Sequence, residues 1–246
     1  MKGVICRATD ARIEDIAHDF PRQDVRAAAF WLTQTLPYFP PAVHCVVVDP
    51  GVGTDRDALV IRAGEHALVG PDNGVLLPVA RELAENENDA ADTFEVFTWA
   101  YDDPASTTFH GRDVFAPAAA AVHDTGVDTI ETRPEIEPTD DYVDLRFPAA
   151  AVEGDGATGE VLVVDDFGNA VTNIPVRYLR SGSAGWSRST ALRLQSDGPT
   201  PPSTRASDSS LLAAMGTSNS PSTAAAATKR SVSVPATQFP YHCDDV

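Results

Sequence analysis

The amino-acid sequence predicts an α/β fold, with a largely parallel sheet flanked by helices, followed by a smaller β-rich domain. Strand and helix patterns alternate through roughly the first half of the chain, which is typical of a parallel sheet covered on both faces. A short, continuous apolar run at residues 43–48 is typical of a strand buried within such a sheet. From about Ala150 onward strand and turn signals prevail, so we predict a second domain there.

The individual elements follow in chain order. Residues 12–18 are predicted to form a strand, and Asp24 is placed to cap a helix that Pro37 helps to end. Further strands are predicted at residues 43–48, 58–62, 66–69 and 94–99, and further helices at residues 74–85 and 113–123. The acidic, proline-containing stretch at residues 131–141 is predicted to be a linker, and residues 159–164 a strand of the second domain.

Charge and composition exclude several classes of partner. The chain has 246 residues and a formal net charge of −18, so phosphate groups would be repelled and nucleic acid is excluded. No apolar run approaches the roughly 20 residues that span a bilayer, and the N-terminus lacks a signal peptide, so we expect a cytoplasmic protein without membrane contact. The abundance of carboxylates, with lysine at only two positions, predicts a halophilic source. Three widely spaced cysteines predict neither a disulfide framework nor a metal site.

Residues 181–246 differ in composition from the rest of the chain. Only four of the 36 acidic residues lie there, and serine, threonine, alanine and proline dominate. Such a composition is typical of a disordered tail. However, back-translation read one nucleotide earlier restores acidic residues, alternating apolar residues and turn glycines, which are signals of strands and hairpins. We therefore predict a frameshift in or near residues 182–193, with a disordered tail as the alternative.

Two loops hold candidate catalytic side chains. Asp49 and Arg56 lie in a glycine-containing loop directly after the predicted strand at residues 43–48, at the end of a strand where ligands of α/β sheets bind. The alternative is a tight turn with a surface ion pair, which would contribute little stability. His110 lies among Gly, Arg and Asp at a helix entrance, where a polar group can face a ligand. The remaining histidines are interpreted as structural.

Two further loops hold candidate binding residues. Asp72 and Asn73 follow a predicted strand and precede a helix, and either side chain could simply cap that helix. Asp165 and Asn169 lie in a segment that, taken alone, is a β-turn with hydrogen-bonding Asp and Asn side chains. None of the four loops by itself identifies a reaction.

Together, in this order and spacing, the loops resemble one family. The matching segments are MKGVI, FPRQDVRAAAFWL, HCVVVDPGVGTDR, LVGPDNG, TFHGRD and VDDFGNAVTNIP, and the resemblance spans nearly all of residues 1–180. The sequence is similar to the S-adenosylmethionine (SAM) hydroxide adenosyltransferases, within the superfamily that also holds the SAM-dependent chlorinases and fluorinases.

The resemblance implies a fold, an assembly and a reaction. It implies an N-terminal α/β domain and a β-barrel-like C-terminal domain, assembled as a homotrimer. The implied reaction is hydrolysis of SAM to adenosine and methionine, by attack of an activated water on the ribose 5′ carbon. It implies no cofactor and no metal. A SAM-dependent halogenase (chlorinase) and an inactive nucleoside-binding remnant remain alternatives.

The same resemblance implies roles for individual residues. The catalytic residues are Asp49, Arg56 and His110, a triad that halogenating relatives lack. The substrate-binding or pocket-lining residues are Asp165, Asn169, Asp72 and Asn73.

The resemblance also marks a departure from the family pattern at the N-terminus. Relatives have a first strand with a ribose-binding aspartate ahead of the MKGVI segment, so we expect an N-terminally truncated chain. The domains are then residues 1–149 (α/β, first strand missing), residues 150–180 (start of the β domain) and residues 181–246 (frameshifted or disordered). The activity of this chain therefore needs a direct test.

Overall fold

The computed structural model describes residues 1–87, 94–102, 104–153, 156–175, 190–192 and 231–234. The chain divides into two units, Met1–Pro148 and Ala149–Val246. Most of the segment at residues 182–193, where a frameshift is predicted, and most of residues 181–246 lie outside the described residues; within that segment only residues 190–192 are described. None of the helices in the described part of the chain combines the length and the hydrophobicity that a bilayer-spanning segment requires.

The first unit contains five strands and four α-helices within the described residues. The strands are β1 (Val43–Cys45), β2 (Ala58–Ala63), β3 (His66–Pro71), β4 (Phe94–Trp99) and β5 (Ile136–Pro138). The helices are α1 (Lys2–Ala8), α2 (Val25–Thr35), α3 (Leu77–Glu87) and α4 (Ala116–Thr125), with 3-10 turns at Leu36–Tyr38 and Val127–Thr132 and a π-helical turn at Gly111–Phe115. Asp24 caps α2 as predicted, because its Oδ1 accepts from Ala27 N at 2.9 Å.

The sheet of the first unit is mixed, with the order β1-β3-β2-β4-β5. Among the described strand pairs of this sheet, β1–β3 is parallel and the other three are antiparallel. The prediction of a largely parallel sheet is therefore wrong. The reason is local: the ladder of β2 and β3 closes at the pair Ala63–His66, with Gly64 at a φ of +57° in the turn between them. So short a connection can join only antiparallel strands.

Helices cover both faces of this sheet, as predicted. Leu59 and Ile61 of β2 point to the face that packs against α2 and α3, whereas Ala58 and Val60 point to the face that packs against α4. This alternation places consecutive strand residues in different cores. Burying a leucine or isoleucine side chain fully contributes about 1.5–3 kcal/mol, so these two layers hold the loops at the sheet ends in place.

Residues 12–18 do not form the predicted strand. Within the described part of the chain, their backbone groups join no strand ladder, and their charged side chains form ion pairs such as Lys2–Asp15 and Arg12–Glu14. The predicted linker at residues 131–141 is also wrong in part, since it contains the edge strand β5. Ile136 is buried there against the α4 face of the sheet, and Pro138 is tolerated because it ends an edge strand.

Two helix boundaries differ from their predicted positions. The helix predicted from residue 74 begins at Leu77, because Gly74 has a φ of +87°, which is not helical. The helix predicted at residues 113–123 consists of the π-helical turn Gly111–Phe115 followed by α4. Pro117 has no backbone N–H to continue the preceding turn and is tolerated in the first turn of α4.

The described strands of the second unit form an antiparallel sheet. The strands are β6 (Ala151–Glu153), β7 (Gly156–Val164), β8 (Ala170–Thr172), β9 (Thr190–Leu192) and β10 (Ser231–Val234). Their order is β10-β7-β8-β9, and β6 also pairs with β7. The strand predicted at residues 159–164 is thus part of β7. Within the described residues this sheet is not closed into a barrel.

A buried histidine pair links β1 to the start of β3. His44 Nε2 lies 2.9 Å from His66 Nδ1, and the two rings are stacked with centroids 5.2 Å apart. Burial lowers the pKa of His44 from 6.5 to about 4, and the neighbouring His66 adds to the effect. In the native state the His44 imidazole therefore stays neutral at pH values well below 6.5.

We expect this pair to make the protein sensitive to acid. Between pH 6.5 and pH 4 the unfolded chain binds a proton at residue 44 that the native chain does not, so stability falls as the pH falls through this window. The loss is up to about 1.4 kcal/mol per pH unit, on the order of 3 kcal/mol in all. Urea unfolding at a series of pH values measures it. The His44→Leu variant should show a shallower dependence in this window, and a slope identical to that of the wild type would contradict the prediction.

Candidate active site

Asp49 and Arg56 form a buried ion pair beyond the end of β1. Arg56 Nε donates to Asp49 Oδ1 at 3.0 Å and to Oδ2 at 3.1 Å, and Nη2 donates to Oδ2 as well. The side chains of Arg56 and Asp49 are only 9% and 5% exposed. The alternative of a solvent-exposed pair in a tight turn is therefore wrong. Charge-assisted bonds of this kind are strong, and a buried charge that loses its partner is costly.

His110 contacts the same guanidinium from a different loop. Its Nδ1 lies 3.1 Å from Arg56 Nη2, and the residue is buried. A guanidinium only donates hydrogen bonds, so Nδ1 must present its lone pair. In the neutral imidazole the ring proton is then on Nε2. The three side chains that were predicted to act together do lie together, with Arg56 in the middle.

Two aromatic residues that sequence reasoning missed complete this cluster. The Arg56 guanidinium carbon lies 4.9 Å from the centre of the Phe115 ring, and the Tyr101 ring meets the His110 ring edge-on with centroids 6.1 Å apart. The hydrophobic pattern alone could not have found Phe115, because a buried phenylalanine at a helix entrance resembles any core residue. Its position five residues after His110 is the one available signal.

A close approach of two loops holds the cluster together. Gly53, in the loop between Asp49 and Arg56, has a φ of +81°. A Cβ atom there would lie 2.7 Å from the carbonyl oxygen of Thr107, in the loop that carries His110. Any side chain at this position would therefore strain the backbone and force the two loops apart.

Asn73 contacts the segment before Asp49, and Asp72 contacts the segment that contains Val143. Asn73 Nδ2 donates to the carbonyl of Val48, the residue before Asp49, and its Oδ1 accepts from Val75 N at 3.1 Å. Asp72 Oδ1 accepts from Val143 N at 2.8 Å, and burial raises the pKa of this carboxyl group although that hydrogen bond opposes the rise. Both side chains thus have structural partners, and a role in lining a pocket stays a prediction.

Asp165 and Asn169 close a polar turn within the second unit. Asp165 Oδ1 accepts from Asn169 N at 2.8 Å, and Asp165 Oδ2 accepts from Asn169 Nδ2 at 2.8 Å. These bonds from Asn169, with further backbone donors, lower the pKa of Asp165 despite some burial, so the carboxylate is ionised at neutral pH. That Asp165 and Asn169 contact substrate stays a prediction.

The Asp49–Arg56–His110 cluster combines three chemical capacities at one point. It offers a carboxylate that accepts protons, a permanent cation, and an imidazole with one N–H directed away from the cation. These groups suit a small nucleophile whose negative charge develops during reaction. Among the described residues, no group of three or more His, Cys, Asp and Glu side chains is arranged to hold a metal ion.

Comparison with known proteins identifies the family. Residues 1–131 match the family described as the SAM hydroxide adenosyltransferase N-terminal domain. The chain belongs to this family. The resemblance predicted from the motifs is therefore confirmed.

Relatives within the adenosyltransferase family carry the name "(R)-S-adenosyl-L-methionine hydrolase". The protein from Salinispora tropica is 46% identical over 168 residues, which are 68% of this chain and 62% of that protein. The protein from Salinispora arenicola is 48% identical with the same coverage. The protein from Thermus thermophilus is 42% identical over 182 residues, 71% of this chain and 68% of the relative. The chain thus spans about three fifths of the Salinispora relatives it matches, 62% of their length.

Solved structures share the fold of this adenosyltransferase-family chain. An uncharacterized conserved protein from Thermotoga maritima aligns with a TM-score of 0.57 at 37% identity, over 71% of this chain and 65% of that one. A conserved hypothetical protein from Thermus thermophilus aligns with a TM-score of 0.52, also at 37% identity, over 70% of this chain and 64% of that one.

Proposed function

We propose that this chain hydrolyses S-adenosylmethionine to adenosine and methionine. The relatives named as SAM hydrolases support the substrate and the reaction. The observation that carries the proposal is the Arg56 guanidinium, which joins Asp49 and His110 in one buried cluster. Such a cluster suits activation of water, whereas a halide nucleophile has no proton to lose.

The proposed reaction is an in-line displacement at the ribose 5′ carbon. The water oxygen forms a bond to this carbon while the bond from carbon to the sulfonium sulfur breaks. The electron pair goes to sulfur, which leaves as the neutral thioether of methionine, and the water loses one proton. Because a positively charged sulfur is a good leaving group, the reaction proposed here needs neither a metal nor a cofactor. The protein therefore assists mainly by positioning and activating the attacking water.

The hydrogen bonds within the cluster support a division of roles. Asp49 accepts the proton, because it is the group in the cluster whose oxygens retain lone pairs beyond those used by Arg56. His110 is a poor acceptor, since Arg56 occupies its Nδ1 and the proton is on Nε2; its N–H orients the water instead. Arg56 stays cationic and stabilises the developing hydroxide charge.

Four polar residues are assigned to substrate binding in this proposal. Asp165 and Asn169 bind the methionine part, where an ionised carboxylate and an amide match ammonium and carboxylate groups. Asp72 and Asn73 shape the pocket through the loop that precedes Asp49, as the Asn73 bond to the Val48 carbonyl supports.

We extend the proposal to the state of the whole protein. It is a cytoplasmic homotrimer with a barrel-like second domain, adapted to high salt. The net charge of −18 supports the last point, because screening lowers the repulsion within an acidic surface. Light scattering and thermal unfolding over a range of KCl concentrations test the trimer and the salt adaptation. A monomer, or a protein most stable in dilute buffer, would contradict the corresponding part.

Isotope labelling tests the reaction directly. The full chain is incubated with SAM in ¹⁸O-water, with and without chloride, and the nucleoside products are analysed by mass spectrometry. Hydrolysis places ¹⁸O in the 5′ hydroxyl of adenosine. Formation of 5′-chloro-5′-deoxyadenosine in chloride would overturn the proposal in favour of a halogenase. If no product forms, calorimetric binding of adenosine would favour an inactive remnant, and absence of binding would also reject the proposed activity for this chain.

A further inference from the structure

The π-helical turn after His110 brings Phe115 to the same guanidinium that His110 contacts. Ala116 N donates to the carbonyl of Gly111, five residues earlier, which closes a π-type turn. In an α-helix, residues five apart are rotated by about 140° beyond one full turn and face different directions. A turn closed by bonds between residues five apart brings such positions toward a common face. His110 and Phe115 therefore both reach Arg56.

We propose that Phe115 is a positioning residue, whose buried ring fixes the plane of the Arg56 guanidinium so that Asp49 and His110 Nδ1 each receive their hydrogen bonds. The edges of the guanidinium are held by Asp49, by His110 and by the carbonyl of Asp57, which accepts from Nη1 at 3.3 Å. These bonds act along the edges of the group.

The Phe115 ring adds a contact of a different kind. It has no exposed surface, and its centre lies 4.9 Å from the guanidinium carbon, within the range of a cation–π contact. Its own position is set by the core on the α4 side of the sheet, and the Cys45 thiol contacts the Phe115 carbonyl at 3.7 Å between sulfur and oxygen. The ring thus connects this core to Arg56, the member of the cluster that contacts both Asp49 and His110.

The chain offers a matched control in Phe97. This residue belongs to the same core, is 4% exposed, and lies beneath another arginine, with 5.7 Å between the Arg62 guanidinium carbon and the ring centre. Arg62 pairs with Glu95 and Glu131 and makes no contact with the proposed catalytic cluster among the described residues. Replacing either phenylalanine with leucine removes an aromatic ring from the same core, but only Phe115→Leu removes it from beneath Arg56.

The decisive readout is the tautomer of His110, which does not depend on catalysis. In ¹⁵N-labelled wild-type protein at pH 8, the imidazole nitrogen shifts should report a proton on Nε2 and a lone pair on Nδ1. In Phe115→Leu the signals should move toward a mixture of the two tautomers, whereas Phe97→Leu should retain the wild-type shifts. Unchanged His110 shifts in Phe115→Leu would overturn the proposal, as would equal changes in both variants.

A kinetic measurement accompanies the spectrum and rests on the proposed function. We expect kcat of Phe115→Leu to fall about tenfold with KM altered less than about threefold, because orientation of Arg56 matters most in the transition state. Phe97→Leu should keep kcat near the wild-type value. If the wild type forms no adenosine but the tautomer shift appears as expected, the positioning role stands and the hydrolase proposal fails. If the wild type is active and Phe115→Leu changes neither measurement, the positioning role fails alone.

Discussion

Replacing Arg56 with methionine is expected to lower the free energy of unfolding by about 3–5 kcal/mol, because it leaves a buried carboxylate without its counter-charge. Asp49 is only 5% exposed and has three hydrogen bonds from this one guanidinium. Urea unfolding of wild type and variant measures the loss. The double variant Asp49→Asn/Arg56→Met should recover much of it, since the uncompensated charge is then gone.

The matched control for this prediction is Arg62→Met. Arg62 also makes two carboxylate pairs, but its partners Glu95 and Glu131 have side chains 59% and 50% exposed. Water can solvate those carboxylates when the arginine is removed, so the expected loss is less than about 1 kcal/mol. If Arg62→Met and Arg56→Met lowered the free energy of unfolding equally, burial of the Asp49–Arg56 pair could not explain the loss in Arg56→Met.

Replacing Asp49 with asparagine is expected to lower kcat by a factor of about 10²–10⁴, the usual contribution of a positioned general base. The amide keeps the shape of the side chain and still accepts a hydrogen bond from Arg56, but it cannot take a proton from water. Since the lost interaction belongs to the transition state, KM should change little. Adenosine release from SAM under saturating and limiting substrate gives both constants.

The comparison with His110→Asn tests the division of roles. An asparagine carbonyl can replace Nδ1 as an acceptor for Arg56, while the Nε2–H that orients the water is lost. We therefore expect His110→Asn to retain clearly more activity than Asp49→Asn. A larger loss in His110→Asn, with both variants folded by circular dichroism, would show that His110 is the proton acceptor and that the assignment made here is wrong.

The candidate site shows what could be predicted from residues and what could not. Asp49, Arg56 and His110 were found because polar groups stand out in loops near glycines, and because those loops match a family in order and spacing. The partners of Asp72 and Asn73 were not predicted. Asn73 Oδ1 accepts from Val75 N, which lies before α3, and Asp72 Oδ1 accepts from Val143 N, 71 positions away. Phe115 was missed, because nothing in an apolar pattern says which charged group lies above a ring.

The fold was predicted unevenly for similar reasons. Strand β4 was predicted with its observed bounds, and the cap at Asp24 is confirmed, because both depend on neighbouring residues. The antiparallel direction of β2 relative to β3 was not predicted, although Gly64 and Glu65 lie between the two strands as a hairpin signal. Residues 12–18 have the composition of a strand but no ladder partner among the described residues, and pairing cannot be deduced from one segment.

Residue patterns alone were enough to predict the family, the alternation of helices and strands, and the three polar side chains that form the cluster. These properties depend on local patterns and on motif spacing, which can be read directly from the sequence. The folded chain was needed to show that Arg56 lies between Asp49 and His110, that His110 offers Nδ1 as an acceptor, and that Phe115 lies beneath the guanidinium. These depend on the direction of hydrogen bonds and on contacts between residues far apart in the chain, such as Arg56 and Phe115, which form when the sheet and its loops come together.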